Sequence, residues 1–94
     1  MKPQRFGSIW DAIAKTRTEA SNMKARAELM VSIEQVILSW QVTQVRAARR
    51  LKLTQPRLND LLRGRIKKFS LDTLINIAAR AGLTVEIRVA REAA

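Results

Sequence analysis

TQVRAARRLKLTQPRLNDLLRG, residues 43–64, opens twice on the same dipeptide. Thr43-Gln44 starts one helix and Thr54-Gln55 starts the next. A threonine in front of a helix accepts a hydrogen bond from an unpaired first-turn N–H. Pro56 follows within the first turn, where its missing N–H is no loss. Ala47, Ala48 and Leu51 form the inward face of the first helix. Leu53 fills the turn, and Leu58, Leu61 and Leu62 face inward from the second. Ala48 is small where the two helices must approach closely. The pattern is two short helices crossing steeply through a tight turn, a helix-turn-helix.

The charge is concentrated on the same stretch. The chain of 94 residues carries a formal net charge of +10. Residues 43–68 hold nine Lys/Arg against one acid, whereas residues 69–94 hold three against three. A localised cationic face suits a phosphate backbone, because each neutralised phosphate releases condensed counterions. In a helix-turn-helix the second helix enters the DNA major groove. Gln55, Arg57, Asn59, Asp60 and Arg63 supply polar groups suited to base edges or phosphates. Consecutive helical positions diverge by about 100°, so Arg46, Arg49 and Arg50 do not all point one way.

Outside this stretch, residues 1–18 form an N-terminal arm. Ser8 to Ala14 is expected to be a short helix, with Ser8 and Asp11 resembling a capping box and Trp10 anchoring the arm to the body. Lys15 to Thr18 is expected as a connection, and Thr18 caps a long helix running to about Trp40. Met23, Ala27, Met30, Ile33 and Ile37 recur there at helical spacing, widened by Leu29 and Val36. Arg26 and Glu34 are placed on its solvated face. After the central pair, Gly64 stops the second helix. Residues 65–69 form a basic loop, and Ser70 caps a further helix ending at Gly82. Leu83 to Val89 alternates apolar and polar residues, a half-buried strand pattern. If two copies pair antiparallel through Val85, Glu86, Ile87, Arg88 and Val89, Glu86 and Arg88 face each other twice. The expectation is a homodimer joined by this strand. The domain division is 1–18 for the arm and 19–94 for the DNA-binding domain, with the helix-turn-helix at 43–64 and the dimerisation strand at 83–89.

Other function classes find little support. The chain has no cysteine and no histidine. It therefore lacks a disulfide framework, a thiolate metal site and the commonest general base. No nucleophile–base pair and no glycine-rich phosphate loop can be assembled, so an enzyme, a metal site and a cofactor are not expected. The basic segment has no aromatic residues on which unpaired RNA bases would stack. No run of about 18 apolar residues exists to span a membrane, and no signal peptide is evident, so a cytoplasmic protein is expected.

The stretch resembles the XRE-type helix-turn-helix of phage lambda-class repressors. More closely, the chain resembles the HigA-like antitoxin and transcriptional-regulator family. The likeness is carried by SIWDAI at 8–13, NMKARAELM at 22–30, TQ at 43–44, AA at 47–48, TQPRLNDLLRG at 54–64, FSLDTL at 69–74 and TVEIRV at 84–89. It implies an all-α, five-helix lambda-repressor-like domain with an N-terminal helical arm and, here, one C-terminal β-strand. It also implies a homodimer on an inverted-repeat operator in double-stranded DNA, autorepression, and pairing with a RelE/HigB-like ribonuclease toxin. The alternative reading is an interaction protein whose main role is neutralising such a toxin. By the resemblance, Gln55 reads base edges, and Pro56 and Asp60 fall at further base-contact positions, with Arg57 and Asn59 beside them. Gln44 matches a phosphate contact; Thr43, Arg46 and Thr54 are expected to contact phosphate as well. Arg63, Arg65, Lys67 and Lys68 match the loop that grips phosphate. Three positions depart from the pattern: Lys52 and Gln41 stand where glycine is common, and Asp60 where an amide is usual.

Overall fold

The computed structural model describes the backbone of residues 3–91 and the side chains from Lys15 onward. The order is α1 (Pro3–Trp40), α2 (Gln44–Leu51), α3 (Gln55–Leu62), a single 3₁₀ turn (Ile66–Lys68) and α4 (Leu71–Arg80).

Two expectations are corrected here. The five-helix count becomes four α-helices among the described residues, because the arm helix and the long helix are one element of 38 residues. The supposed connection, Lys-Thr-Arg-Thr at 15–18, contains neither glycine nor proline. Nothing there prevents the i→i−4 ladder from running through, and a threonine cap is used only where a helix must begin. The anchoring role assigned to the Trp10 side chain lies outside the described residues. The second correction is the C-terminal strand: among the described residues there is no β-strand. Leu83 and Val85 pack against the core, but Ile87 and Val89 are 73% and 90% exposed. Alternation is necessary for a half-buried strand but not sufficient, since a strand also needs a neighbour to take its backbone hydrogen bonds. The segment after Gly82 has none among the described residues.

The helix starts fall where the caps place them. Thr43 Oγ1 accepts from the Arg46 N–H at 3.3 Å, Thr54 Oγ1 from Arg57 at 3.2 Å, and Ser70 Oγ from Thr73 at 3.1 Å. The stops are left-handed residues: Gln41 (φ 52°), Lys52 (φ 55°) and Gly64 (φ 70°). Lys52 closes α2, its N–H reaching the carbonyls of Ala48 and Arg49.

One core unites the four helices. Met30, Ile33 and Ile37 of α1 meet Ala47, Ala48 and Leu51 of α2, Leu58 and Leu61 of α3, Phe69, and Leu74, Ile77 and Ala78 of α4. Ala48 is only 3% exposed, as close approach of α3 requires. Ala27, expected in the core stripe, is exposed. So are all residues from Lys15 to Asn22, so this part of α1 lies clear of the core. The molecule measures 61 × 29 × 15 Å, its long dimension close to the roughly 57 Å that 38 helical residues span.

Candidate nucleic-acid interface

The turn between α2 and α3 is short because Lys52 reverses the chain in the left-handed region and Leu53 closes it, its N–H donating to Ala48 O at 2.9 Å. Leu58 and Leu61 bury the inner face of α3. The opposite face is thereby set toward solvent. Gln55, Pro56 and Arg63 are exposed on α3 and its cap, and Asn59 is half-buried between them. Thr43, Gln44 and Arg46 are exposed at the start of α2, and Thr54 at the start of α3. Both capping threonines use an oxygen lone pair on the backbone, which leaves the hydroxyl hydrogen able to donate to an anion. Arg63, Arg65, Lys67 and Lys68 are exposed around the end of α3 and the 3₁₀ turn.

Two of the polar residues of α3 are engaged with the loop that follows. The Arg57 guanidinium donates to Lys68 O at 2.7 Å and lies 4.0 Å from the centroid of the buried Phe69 ring. Asp60 forms a 2.9 Å ion pair with Arg65 and a 3.6 Å one with Lys68, and its side chain is only 16% exposed. Arg65 N–H also donates to Asp60 O at 3.1 Å. The loop is thus fastened to α3 at both its ends. Its cationic side chains, Arg65, Lys67 and Lys68, stay exposed, two of them beside Asp60 of α3. Arg50, at the outer side of α2, stacks over Trp40 at 4.8 Å.

Sequence reasoning placed Arg26 on the solvated face of α1. Instead, its guanidinium donates to Ile66 O at 3.0 Å and Phe69 O at 3.2 Å. Arg26 therefore holds the same basic loop from behind. A signal was present: Arg26, Met30, Ile33 and Ile37 share the spacing of one helical face. Arg80 similarly reaches the carbonyl of Leu51 at 3.3 Å, at the end of α2. Among the described residues no cluster of acidic side chains could hold a metal ion, and no helix is long and apolar enough to cross a membrane.

Residues 10–90 match the family model described as a helix-turn-helix domain. The fold is similar to that of a solved structure whose description proposes an XRE family transcriptional regulator. The TM-score is 0.73 at 24% identity, over 79% of this chain and 83% of the other. No curated protein matches the chain.

Proposed function

Because the chain belongs to the helix-turn-helix domain family, we propose that it is a transcriptional regulator that binds double-stranded DNA in a sequence-specific manner. The observation that carries this reading is the exposed face of α3. Gln55, Pro56 and Arg63 are exposed there with Asn59 half-buried among them, and Thr43, Gln44, Arg46 and the cations of the following loop are exposed as well. An α-helix fits the major groove, and an amide such as Gln55 can pair in bidentate fashion with adenine. Base reading is assigned to Gln55, Pro56 and Asn59. Phosphate contact is assigned to Thr43, Gln44, Arg46, Thr54, Arg63, Arg65, Lys67 and Lys68. Arg57 and Asp60 have partners in the loop, which favours a role in shaping the interface over base reading.

The finer reading is a homodimer on an inverted-repeat operator, its two α3 helices entering successive major grooves about 34 Å apart. It represses its own operon and serves as a HigA-like antitoxin to a RelE/HigB-like ribonuclease. The sequence resemblance supports that assignment. Selection of genomic fragments by the purified protein tests the whole reading: an inverted repeat near its own promoter is expected. Gln55→Ala is expected to weaken the selected site by about 1–3 kcal/mol and relax one base position. Unchanged discrimination in that variant removes α3 as the reading helix. Neutralisation of a co-expressed ribonuclease, retained in the same variant, tests the antitoxin role separately.

A further inference from the structure

The face of α1 turned away from the core carries a second pattern. Arg17, Ala20, Lys24, Ala27, Val31, Glu34 and Leu38 recur at alternating spacings of three and four residues. That spacing places all seven on one stripe of the helix, apolar at Ala20, Ala27, Val31 and Leu38 and charged at Arg17, Lys24 and Glu34. It lies roughly 115° round the helix from the face of Met30, Ile33 and Ile37 that enters the core. Val31 and Leu38 are 54% and 66% exposed on it, and Ala20 and Ala27 leave room for a helix to approach. Helical segments of this length without tertiary support are marginal in water. The stretch from Lys15 to Asn22 has no such support from the core, so a covering partner would stabilise it.

The charges on the stripe select both the occupant and its direction. Laid parallel in register against a second copy, α1 would set Lys24 against Lys24 and Glu34 against Glu34. Laid antiparallel about a two-fold between Ala25 and Arg26, it sets Arg17 against Glu34, Ala20 against Val31 and Lys24 against Ala27. Large then meets small, and opposite charges meet twice across the pair. Lys24 lays its stem over Ala27 while its ammonium stays in water. The Arg17–Glu34 contact adds to the interactions Arg17 already makes in its own chain.

We propose that the Arg17–Glu34 stripe of α1 is the homodimer interface, two copies packing antiparallel so that the projecting half of each helix lies along the other's core-bearing half. Its significance for operator binding rests on the dimeric DNA-binding reading above; its geometry does not.

The chain has no cysteine, so introduced cysteines report directly. In the antiparallel register, position 20 meets position 31 of the other copy. Each position stands about 16 Å along the helix from its own equivalent. The doubly substituted Ala20→Cys, Val31→Cys protein is expected to form a disulfide-linked dimer under mild oxidation, while neither single variant does. Val31→Asp is expected to sediment as a monomer at a concentration where the parent is a dimer, with its helical circular dichroism retained. Its affinity for a two-half-site operator should fall about tenfold or more. Cross-linking by the single variants would indicate a parallel seam and overturn the proposal. So would a Val31→Asp protein that stays dimeric, or a parent that is monomeric. A monomeric parent that still selects operator DNA would remove the seam and leave the DNA-binding reading standing. A seam dimer that binds no duplex would do the reverse.

Discussion

Asp60 is the sole acid in residues 43–68, and it faces two of the loop cations rather than standing open to solvent. The ion pairs are partly solvated, since Arg65 and Lys68 side chains are 44% and 54% exposed, so their contribution to stability is at most about 1 kcal/mol. Their larger effect is on the interface. Asp60→Asn is expected to leave stability nearly unchanged, to raise affinity for random duplex, and to steepen its salt dependence, because two cations are released toward phosphate. Titration of a non-specific duplex at several salt concentrations checks this. If Asp60 instead accepts from a cytosine amine, the variant will lose affinity only for the operator. Gln41 offers a separate residue-scale test. It is exposed and held at φ 52°, a conformation that costs a side chain about 1 kcal/mol and glycine almost nothing. Gln41→Gly is expected to raise the thermal midpoint by a few degrees, read by circular dichroism.

At the scale of elements, the basic loop between α3 and α4 depends on three attachments from two helices. Asp60 and Arg57 reach it from α3, and Arg26 reaches it from α1. Arg26→Met keeps the aliphatic stem but leaves the carbonyls of Ile66 and Phe69 without their charged donor. A cost of about 1.5–3 kcal/mol is expected, measured by urea unfolding, with DNA binding weakened alike on every sequence. Arg57→Lys is expected to be destabilising by about 1 kcal/mol, because an ammonium cannot both stack on Phe69 and reproduce the planar donor geometry toward Lys68 O. Selectivity confined to one base pair in that variant would instead assign Arg57 to base reading. The caps belong to this scale too. Ser70 starts α4, whose Leu74, Ile77 and Ala78 form one wall of the core.

Across the whole molecule, the excess charge is concentrated in residues 43–68. If phosphate contact supplies much of the grip, log affinity should fall linearly with log salt, by about 0.9 for each phosphate neutralised. Lys67→Ala is expected to reduce that slope by about one while leaving base preference intact. Much of this arrangement was legible in the chain. Thr43, Thr54 and Ser70 mark their helices through bonds that span only three residues, so local sequence carries the information. The spacing of Ala47, Ala48, Leu51, Leu58 and Leu61 likewise settled which faces of α2 and α3 are buried, since burial of apolar side chains is repeated at the helical period. What the sequence could not decide depends on partners distant along the chain. Thr18 looked like a start, yet α1 runs through it. Leu83 to Val89 alternated like a strand, yet no strand pairs with it among the described residues. Arg26, Arg57 and Asp60 carry charges that any surface could display. Only the packing of α1 and α3 around residues 65–69 gave each of them a partner, because a hydrogen bond or ion pair across the fold exists only once tertiary contacts bring its two ends together.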